Sequence, residues 1–252
     1  MTNTGVRDIV LETRELHMAF GGLVVFDSLN FTLGRGERHA IIGPNGAGKT
    51  TFVSLVTGLL KPTSGDILFD GELITTRSPQ QRVKAGIVRT FQINTLFRGL
   101  NPLESLVLAL CERDERSSPS LRRVARENGL IDEAIALLAK FGLERDALSP
   151  TDTLPYGKQR LLEVTLAFAL KPKVLLLDEP AAGLSTQQGH ELFAQLSTLM
   201  AGTTILFIEH DMNIVFRYAD VISVFAAGSL VVQDTPEKVR VDPRVREVYL
   251  GG

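Results

Sequence analysis

The stretch Gly43–Thr50, "GPNGAGKT", fits the pattern G-x-x-x-x-G-K-[ST], which is typical of phosphate-binding loops. Its glycines allow consecutive backbone N–H groups to turn inward around phosphate oxygens without Cβ clashes. Lys49 can reach the β- and γ-phosphates of a nucleotide, and the Thr50 hydroxyl can bind Mg²⁺. The residues expected to contact the nucleotide here are Gly43, Pro44, Asn45, Gly46, Ala47, Gly48, Lys49, Thr50 and Thr51.

The sequence on either side of this loop predicts a strand and then a helix. The apolar run "RHAIIG" leads into the loop, and "TFVSLVTGLL" predicts a helix that continues to Lys61–Pro62. The positive N-terminal end of such a helix favours a bound phosphate. This context favours phosphate binding over the alternative, a glycine-rich turn without a ligand.

Apolar runs alternate with helical stretches along much of the chain, which is typical of a parallel sheet covered on both faces. Further strands are predicted in "KVLLLDEP" and "TTILFIEH", and a closing pair in "VISVFAAGSLVVQD". Short alternating segments over residues 9–42 and a hairpin with its turn near Asp70–Gly71 indicate additional strands. We therefore expect an α/β fold.

Helical stretches dominate the middle of the chain, from about residue 94 to residue 170. The first begins at Asn101–Pro102, a pair that suits a helix start. No linker sets this block apart from the strands around it. We predict a single domain over residues 8–250, with a helical subdomain at about 94–170 inserted into the core.

Two acidic residues end the predicted strand "VLLLDEP". Ligands of open α/β sheets bind at the carboxyl ends of the strands, so Asp178 is placed to hold the water shell of a metal ion. Glu179 follows directly and can orient or deprotonate an attacking water. The alternative is a solvent-facing pair that only caps the strand.

Two more polar residues follow predicted strands. His210 ends "LFIEH" and is a candidate γ-phosphate contact, although a lone histidine is often only a surface or core residue. Gln92 ends "IVRTFQ", and its amide could sense Mg²⁺ or water at one end of the helical block. The candidate catalytic residues are Glu179, His210 and Gln92, and the candidate metal ligands are Thr50, Gln92 and Asp178.

Composition narrows the class of protein. The 252 residues include 44% hydrophobic and 22% charged residues, which indicates a globular chain, and the net charge of −2 gives no reason to expect nucleic acid binding. Cys111 is the only cysteine, which suits a reducing cytosol. The first residues contain no apolar run flanked by basic residues, so we expect no signal peptide, and no uncharged 18-residue apolar stretch occurs in the sequence. We expect a soluble cytoplasmic protein that reaches a membrane only through a partner.

Six motifs stand in the order and spacing found in the nucleotide-binding subunits of ABC transporters, which the chain resembles over nearly its whole length. They are "GPNGAGKT", Gln92, the signature loop Leu154–Arg160 ("LPYGKQR"), "LLLDEP", "AAGLS" and His210. More narrowly, "FGGL", "RTFQ", "EHDM" and "DPRVREVYLG" are similar to the ATPases of branched-chain amino acid and urea-type amide importers.

The resemblance implies the P-loop NTPase fold of the ABC ATPases, with an antiparallel β subdomain and the inserted helical subdomain. Two such subunits, identical or different, are expected to close head to tail over two ATP–Mg²⁺. Each site takes Pro155, Tyr156, Gly157 and Lys158 of the signature loop from the other subunit, and Phe20 stacks on adenine. The alternative for Phe20 is a core position.

The resemblance also implies partners and a location. ATP hydrolysis is expected to power solute import through integral-membrane permease subunits. An extracytoplasmic solute-binding protein is expected to deliver the solute to these subunits. The ATPase would then be peripheral, at the cytoplasmic face of the inner (plasma) membrane.

Three parts of the sequence depart from the common family pattern. The signature loop has Pro155 and Tyr156 where serine and glycine are usual, and Lys158, after Gly157, replaces glutamine. Ser185 ends "AAGLS" where aspartate or asparagine is usual. Leu166 stands in the following helix where the family often has arginine. Proline fits the first turn of a helix, so we expect an altered but competent loop. Lys158 either adds charge near the phosphate or is simply solvated.

Other classes of ATPase share these motifs. DNA-repair or chromosome-organising ATPases need a long coiled coil, and no sustained heptads occur between Lys49 and Asp178. Tandem translation-associated proteins carry every motif twice, whereas this chain has one copy. A lipid or lipopolysaccharide exporter ATPase and a weakly hydrolysing regulatory subunit stay open as alternatives.

Overall fold

The computed structural model describes residues 8–90, 99–114 and 128–250. The strands in this part of the chain are β1 (Ile9–Phe20), β2 (Leu23–Gly34), β3 (Arg38–Ile42), β4 (Ser64–Phe69), β5 (Glu72–Leu73), β6 (Ile87–Arg89), β7 (Val174–Asp178), β8 (Thr204–Ile208), β9 (Val221–Ala226) and β10 (Ser229–Asp234).

The helices of the described residues are α1 (Lys49–Val56), α2 (Pro79–Ala85), α3 (Pro102–Arg113), α4 (Asn128–Lys140), α5 (Tyr156–Ala169), α6 (Thr186–Leu199), α7 (Met212–Tyr218), α8 (Pro236–Val241) and α9 (Pro243–Leu250), with 3₁₀ turns at Glu144–Asp146 and Thr151–Thr153. None of these helices combines the length and the apolar composition needed to cross a bilayer.

The described strands form two sheets. One is antiparallel, in the order β2-β1-β4-β5, and the other has the order β10-β9-β3-β8-β7-β6. In the second sheet all pairs are parallel except β9 with β10, which form the predicted closing hairpin. The turn at Asp70–Gly71 is confirmed too, because it joins β4 to β5. The predicted α/β fold with an antiparallel β subdomain is therefore confirmed.

Strand β7 of the central sheet is buried on both faces, because its residues from Val174 to Leu177 are all apolar. In β7, Val174 and Leu176 belong to the hydrophobic cluster shared with α1 and the antiparallel sheet. Leu175 and Leu177 alternate with them and pack in the cluster formed with the helices on the other side. This alternation confirms the prediction of a doubly covered sheet.

Three helices of the predicted helical subdomain pack together. Asn101 caps α3 by accepting from the Glu104 N–H at 2.9 Å, as its sequence predicts. Arg113 joins α3 to α4 through two hydrogen bonds to Glu133, at 2.7 and 2.9 Å. Residues 91–98 and 115–127 lie outside the described residues, so the bounds of the insertion stay a prediction.

The first helix is shorter than predicted, because α1 ends at Val56 and not at Lys61–Pro62. The buried Arg82 of α2 takes over the carbonyls that a longer helix would need. Its Nη1 donates to the carbonyls of Leu55 at 2.6 Å and Val56 at 2.8 Å, and its Nη2 donates to Thr75 at 2.9 Å. Burial lowers the pKa of this guanidinium to about 10. Gly58, with φ +79°, takes the chain out of the helix, and the distant Arg82 satisfies carbonyls of its last turn.

We expect Arg82→Met to lower the free energy of unfolding by about 3 kcal/mol, because several buried carbonyls lose a charged donor. Urea denaturation measures the change. The control is Arg14→Met, which removes an exposed arginine whose partner is Glu12. Equal stability of the two variants would contradict this role of Arg82.

Helix α5 carries a buried acidic residue. The Glu163 side chain is 2% exposed, and its Oε2 accepts from Arg160 Nη1 at 3.0 Å. Burial raises the pKa of Glu163 from 4.5 to about 7, against the opposing effect of Arg160. Between these pH values the folded chain holds the proton more tightly than the unfolded chain does, so the free energy of unfolding falls as the pH rises through this window.

The variant Glu163→Gln has no proton to lose in this window. We expect its free energy of unfolding to fall less than that of the wild type between about pH 5 and about pH 7.5. Urea denaturation at the two pH values tests this prediction. The control is Glu191→Gln, which makes the same change at an exposed residue of α6. Identical pH slopes for the wild type and Glu163→Gln would refute the role of Glu163.

Candidate active site

The phosphate-binding loop joins β3 to α1 and rests on the core. Gly48 has φ +90°, and a Cβ there would lie 2.6 Å from the ring of the fully buried Phe26. Only glycine fits this position without displacing the ring. Gly48 makes no side-chain cap hydrogen bond at the start of α1. The first N–H groups of the helix are therefore not capped by this residue and point to the side where a phosphate can bind.

Lys49 lies beneath the loop. Its Nζ donates to the carbonyls of Gly43 at 2.8 Å and Pro44 at 3.1 Å. Burial lowers the pKa of Lys49, and the carboxylates of Glu179 and Asp178 oppose that change by their charge. The ammonium group and both carboxylates therefore belong to one electrostatic site. Thr50 is exposed in the first turn of α1.

Asp178 ends β7 with its side chain 13% exposed, and its Oδ2 accepts from Arg89 Nη2 at 2.6 Å. A carboxylate at a strand end and the Thr50 hydroxyl are the hard oxygen donors that Mg²⁺ prefers in combination with phosphates. The residues present therefore fit this ion. Sequence reasoning missed Arg89, although a charged residue in the apolar strand "IVR" was a signal.

Glu179 has a backbone conformation that is rare for its residue type, with φ +50°. Such conformations cost about 1–3 kcal/mol and cluster at functional sites. Its N–H donates to the carbonyl of Ile208 at 3.0 Å, so β8 holds the strained residue in place. Its Oε1 lies 2.9 Å from His210 Nε2, with the side chains 43% and 51% exposed. The structure thus brings a solvent-accessible carboxylate and an imidazole into contact.

Glu209 is a second residue that sequence reasoning missed. It is buried, and its carboxylate accepts from the N–H of Ala181 at 2.7 Å and of His210 at 3.2 Å. Burial raises the pKa of Glu209, and these backbone N–H groups oppose the change. An acidic residue next to the apolar run "TILFI" was the available signal. Glu209 ties the loop after β7 to the loop after β8, and so supports both Glu179 and His210.

The signature loop leads into α5. Pro155 precedes the first helical residue, and its carbonyl accepts from the N–H of Lys158 at 2.9 Å and of Gln159 at 3.1 Å. Proline has no side-chain donor or acceptor, so it leaves the first N–H groups of α5 uncapped. Lys158 forms an ion pair with Asp146, with 2.6 Å between Nζ and Oδ2. It is therefore not simply solvated, and its contact with a phosphate stays a prediction.

Tyr156 links the signature loop to the "AAGLS" loop within one subunit. A Cβ on Gly183 would lie 3.0 Å from the Tyr156 ring, so the ring packs directly on the backbone of that loop. The tyrosine hydroxyl accepts from Arg160 Nη2 at 3.1 Å. The unusual tyrosine of the signature loop thus packs on the loop that ends in Ser185.

The remaining departures have structural explanations. Ser185 caps α6, since its Oγ accepts from the Gln188 N–H at 3.3 Å while the Gln188 side chain accepts from the Ser185 N–H at 3.0 Å. Leu166 is buried in the core. Phe20 is 48% exposed at the end of β1, so the alternative of a core position is wrong. Gln92 lies outside the described residues.

Comparisons with known families match two parts of the chain. The model of the ABC transporter family matches residues 26–182, and that of the branched-chain amino acid ATP-binding cassette transporter family matches residues 230–252. Within the second segment, burial raises the pKa of Tyr249, and the backbone N–H of Gly43 opposes this change. The C-terminal segment thus lies near the phosphate-binding loop.

Relatives match along the whole chain. The chain is 38% identical to the high-affinity branched-chain amino acid transport ATP-binding protein LivG of Escherichia coli (strain K12), over 96% of this chain and 98% of that protein. It is 35% identical to a probable branched-chain amino acid transport ATP-binding protein LivG of Archaeoglobus fulgidus, over 96% and 95%.

Solved structures of ATP-binding cassettes from ABC transporters are similar as well. A nucleotide-free cassette has a TM-score of 0.84 at 29% identity, with 97% of this chain and 100% of that chain covered. A cassette in its ADP conformation also has a TM-score of 0.84 at 29% identity, with 97% and 99% covered. With its phosphate-binding loop, strand-end carboxylates and signature loop, this chain belongs to the ABC transporter family as one of its ATP-binding cassette ATPases.

Proposed function

We propose that this chain is the ATP-hydrolysing subunit of an importer of branched-chain amino acids or related amides. The observation that carries the proposal is the Glu179–His210 contact of 2.9 Å. It lies at the carboxyl ends of the central strands, close to Lys49 and Asp178. The named relatives of nearly equal length support the solute class.

Each side chain has a distinct task in the proposed reaction. Lys49 and the N–H groups that begin α1 bind the phosphates, and Phe20 stacks on adenine. Glu179 accepts a proton from the attacking water, while His210 orients that carboxylate and contacts the γ-phosphate. Asp178, Thr50 and Gln92 would hold Mg²⁺, which would supply positive charge to the phosphate oxygens when bound.

The site is completed by a second subunit, identical or different. Pro155, Tyr156, Gly157 and Lys158 of that subunit face the phosphate, and the uncapped start of α5 supports this role. The dimer works on permease subunits as a peripheral protein at the cytoplasmic face of the membrane, and an extracytoplasmic binding protein delivers the solute. No nucleic acid takes part.

Two alternatives are less well supported. The similarity to branched-chain amino acid transport proteins favours import over lipid or lipopolysaccharide export. A weakly hydrolysing regulatory subunit has no need of a strained glutamate held against a histidine.

Glu179→Gln removes the proposed general base but keeps the size of the side chain. We expect Mg²⁺-dependent ATP hydrolysis to fall at least about 100-fold, or roughly 2.7 kcal/mol of transition-state stabilisation. ATP binding should persist, and the variant should dimerise with ATP in light scattering. Glu191→Gln, which makes the same change on the exposed side of α6, is the control and should hydrolyse ATP normally. Equal turnover in wild type and Glu179→Gln would refute the catalytic assignment.

The solute class is tested separately in cells. If the chain powers amino acid import, cells that carry the Glu179→Gln variant in place of the wild-type chain should lose uptake of labelled leucine. Their uptake of glucose should be unchanged. A labelled-solute uptake assay measures both. Normal leucine uptake in cells that depend on the variant would contradict the importer proposal while leaving the ATPase assignment intact.

A further inference from the structure

An arginine holds the carboxylate that is proposed to bind Mg²⁺. Arg89 Nη2 donates to Asp178 Oδ2 at 2.6 Å, and the two side chains are 19% and 13% exposed. A carboxylate so little exposed is costly without a partner, so the charge of Arg89 offsets the loss of hydration. Arg89 therefore acts as a counter-cation built into the metal site.

The sheet fixes the position of this arginine. In the parallel pair of β6 and β7, Arg89 lies opposite Leu176, and Asp178 is two residues further along the same face. The N–H of Thr90 also donates to the Leu176 carbonyl at 3.0 Å, which anchors the end of β6. The guanidinium thus reaches Asp178 from a rigid strand.

A second cation lies near the same carboxylate. Lys49 is close enough to Asp178 and Glu179 for both to affect its pKa, while its Nζ donates to loop carbonyls. A magnesium ion bound by Asp178 would add two positive charges next to Arg89, whose charge is permanent. Repulsion between these cations weakens ion binding.

Resting on the proposed function, we infer that Arg89 is a positioning residue that holds Asp178 and lowers the affinity of the site for Mg²⁺. Arg89 thereby sets the Mg²⁺ concentration at which the nucleotide site fills. The carboxylate is kept in place and neutralised by Arg89 until the ion competes for it.

The test is a Mg²⁺ titration of the full chain with saturating ADP, read as the thermal unfolding midpoint. A bound ion stabilises the folded state, and ADP excludes any contribution from hydrolysis. The Mg²⁺ concentration that produces half of the maximal thermal shift is the Mg²⁺ midpoint. We expect the Mg²⁺ midpoint of Arg89→Met to be at least about fivefold lower than that of the wild type. Arg89→Lys keeps the positive charge and should respond much more like the wild type.

Two controls separate this role from loss of an ordinary ion pair. Arg38→Met removes an arginine with an equally short pair, 2.6 Å to Asp220, at the amino-terminal end of β3. It should leave the Mg²⁺ midpoint unchanged even if stability falls. In a chain that already carries Asp178→Asn, Arg89→Met should shift the Mg²⁺ midpoint less than it does in the wild type, because the competition for the carboxylate is absent.

The outcomes distinguish this inference from the proposed function. An Arg89→Met Mg²⁺ midpoint that is unchanged or higher than that of the wild type would overturn the inference alone, as would a shift of undiminished size with Asp178→Asn. A wild-type chain whose stability with ADP does not respond to Mg²⁺ would contradict the proposed metal site, and the inference with it.

Discussion

The contact between Phe26 and Gly48 is the constraint on which the site depends, because it places the start of α1 directly on the core. Phe26 belongs to a group of edge-to-face rings with Phe52 of α1 and Phe225 of β9, at centroid distances of 6.4 and 5.9 Å. The antiparallel sheet, the first helix and the central sheet therefore meet under the phosphate-binding loop. A side chain larger than hydrogen at residue 48 would separate them.

Each acidic side chain at the carboxyl ends of the central strands has a hydrogen-bonding partner. Asp178 has Arg89, Glu179 has His210, and the buried Glu209 accepts two backbone N–H groups. These contacts cross between neighbouring strands, so the parallel order of β6, β7 and β8 brings the groups together. The site is held by strands and not by loops alone, which suits a reaction that depends on electrostatic positioning.

Much of the fold was predictable, because local patterns report local structure. The Asn101 cap, the Asp70–Gly71 turn and the apolar run of β7 each depend on nearby residues, and all were confirmed. The contact of Arg82 with the last carbonyls of α1 was not predictable, because Arg82 lies far along the chain from them. The pairing of Lys158 with Asp146 was missed for the same reason.

The sequence by itself determined the kind of chemistry, since a phosphate-binding loop and strand-end acids need only residue types at set spacings. Tertiary structure decided what each group touches. Tyr156 looked like a defect in the signature loop, yet its ring packs on Gly183 of the neighbouring loop. Arg89 and Glu209 gained their partners only when the strands paired. Hydrogen bonds and ion pairs act over a few ångströms, so contacts between distant residues exist only after the chain has folded.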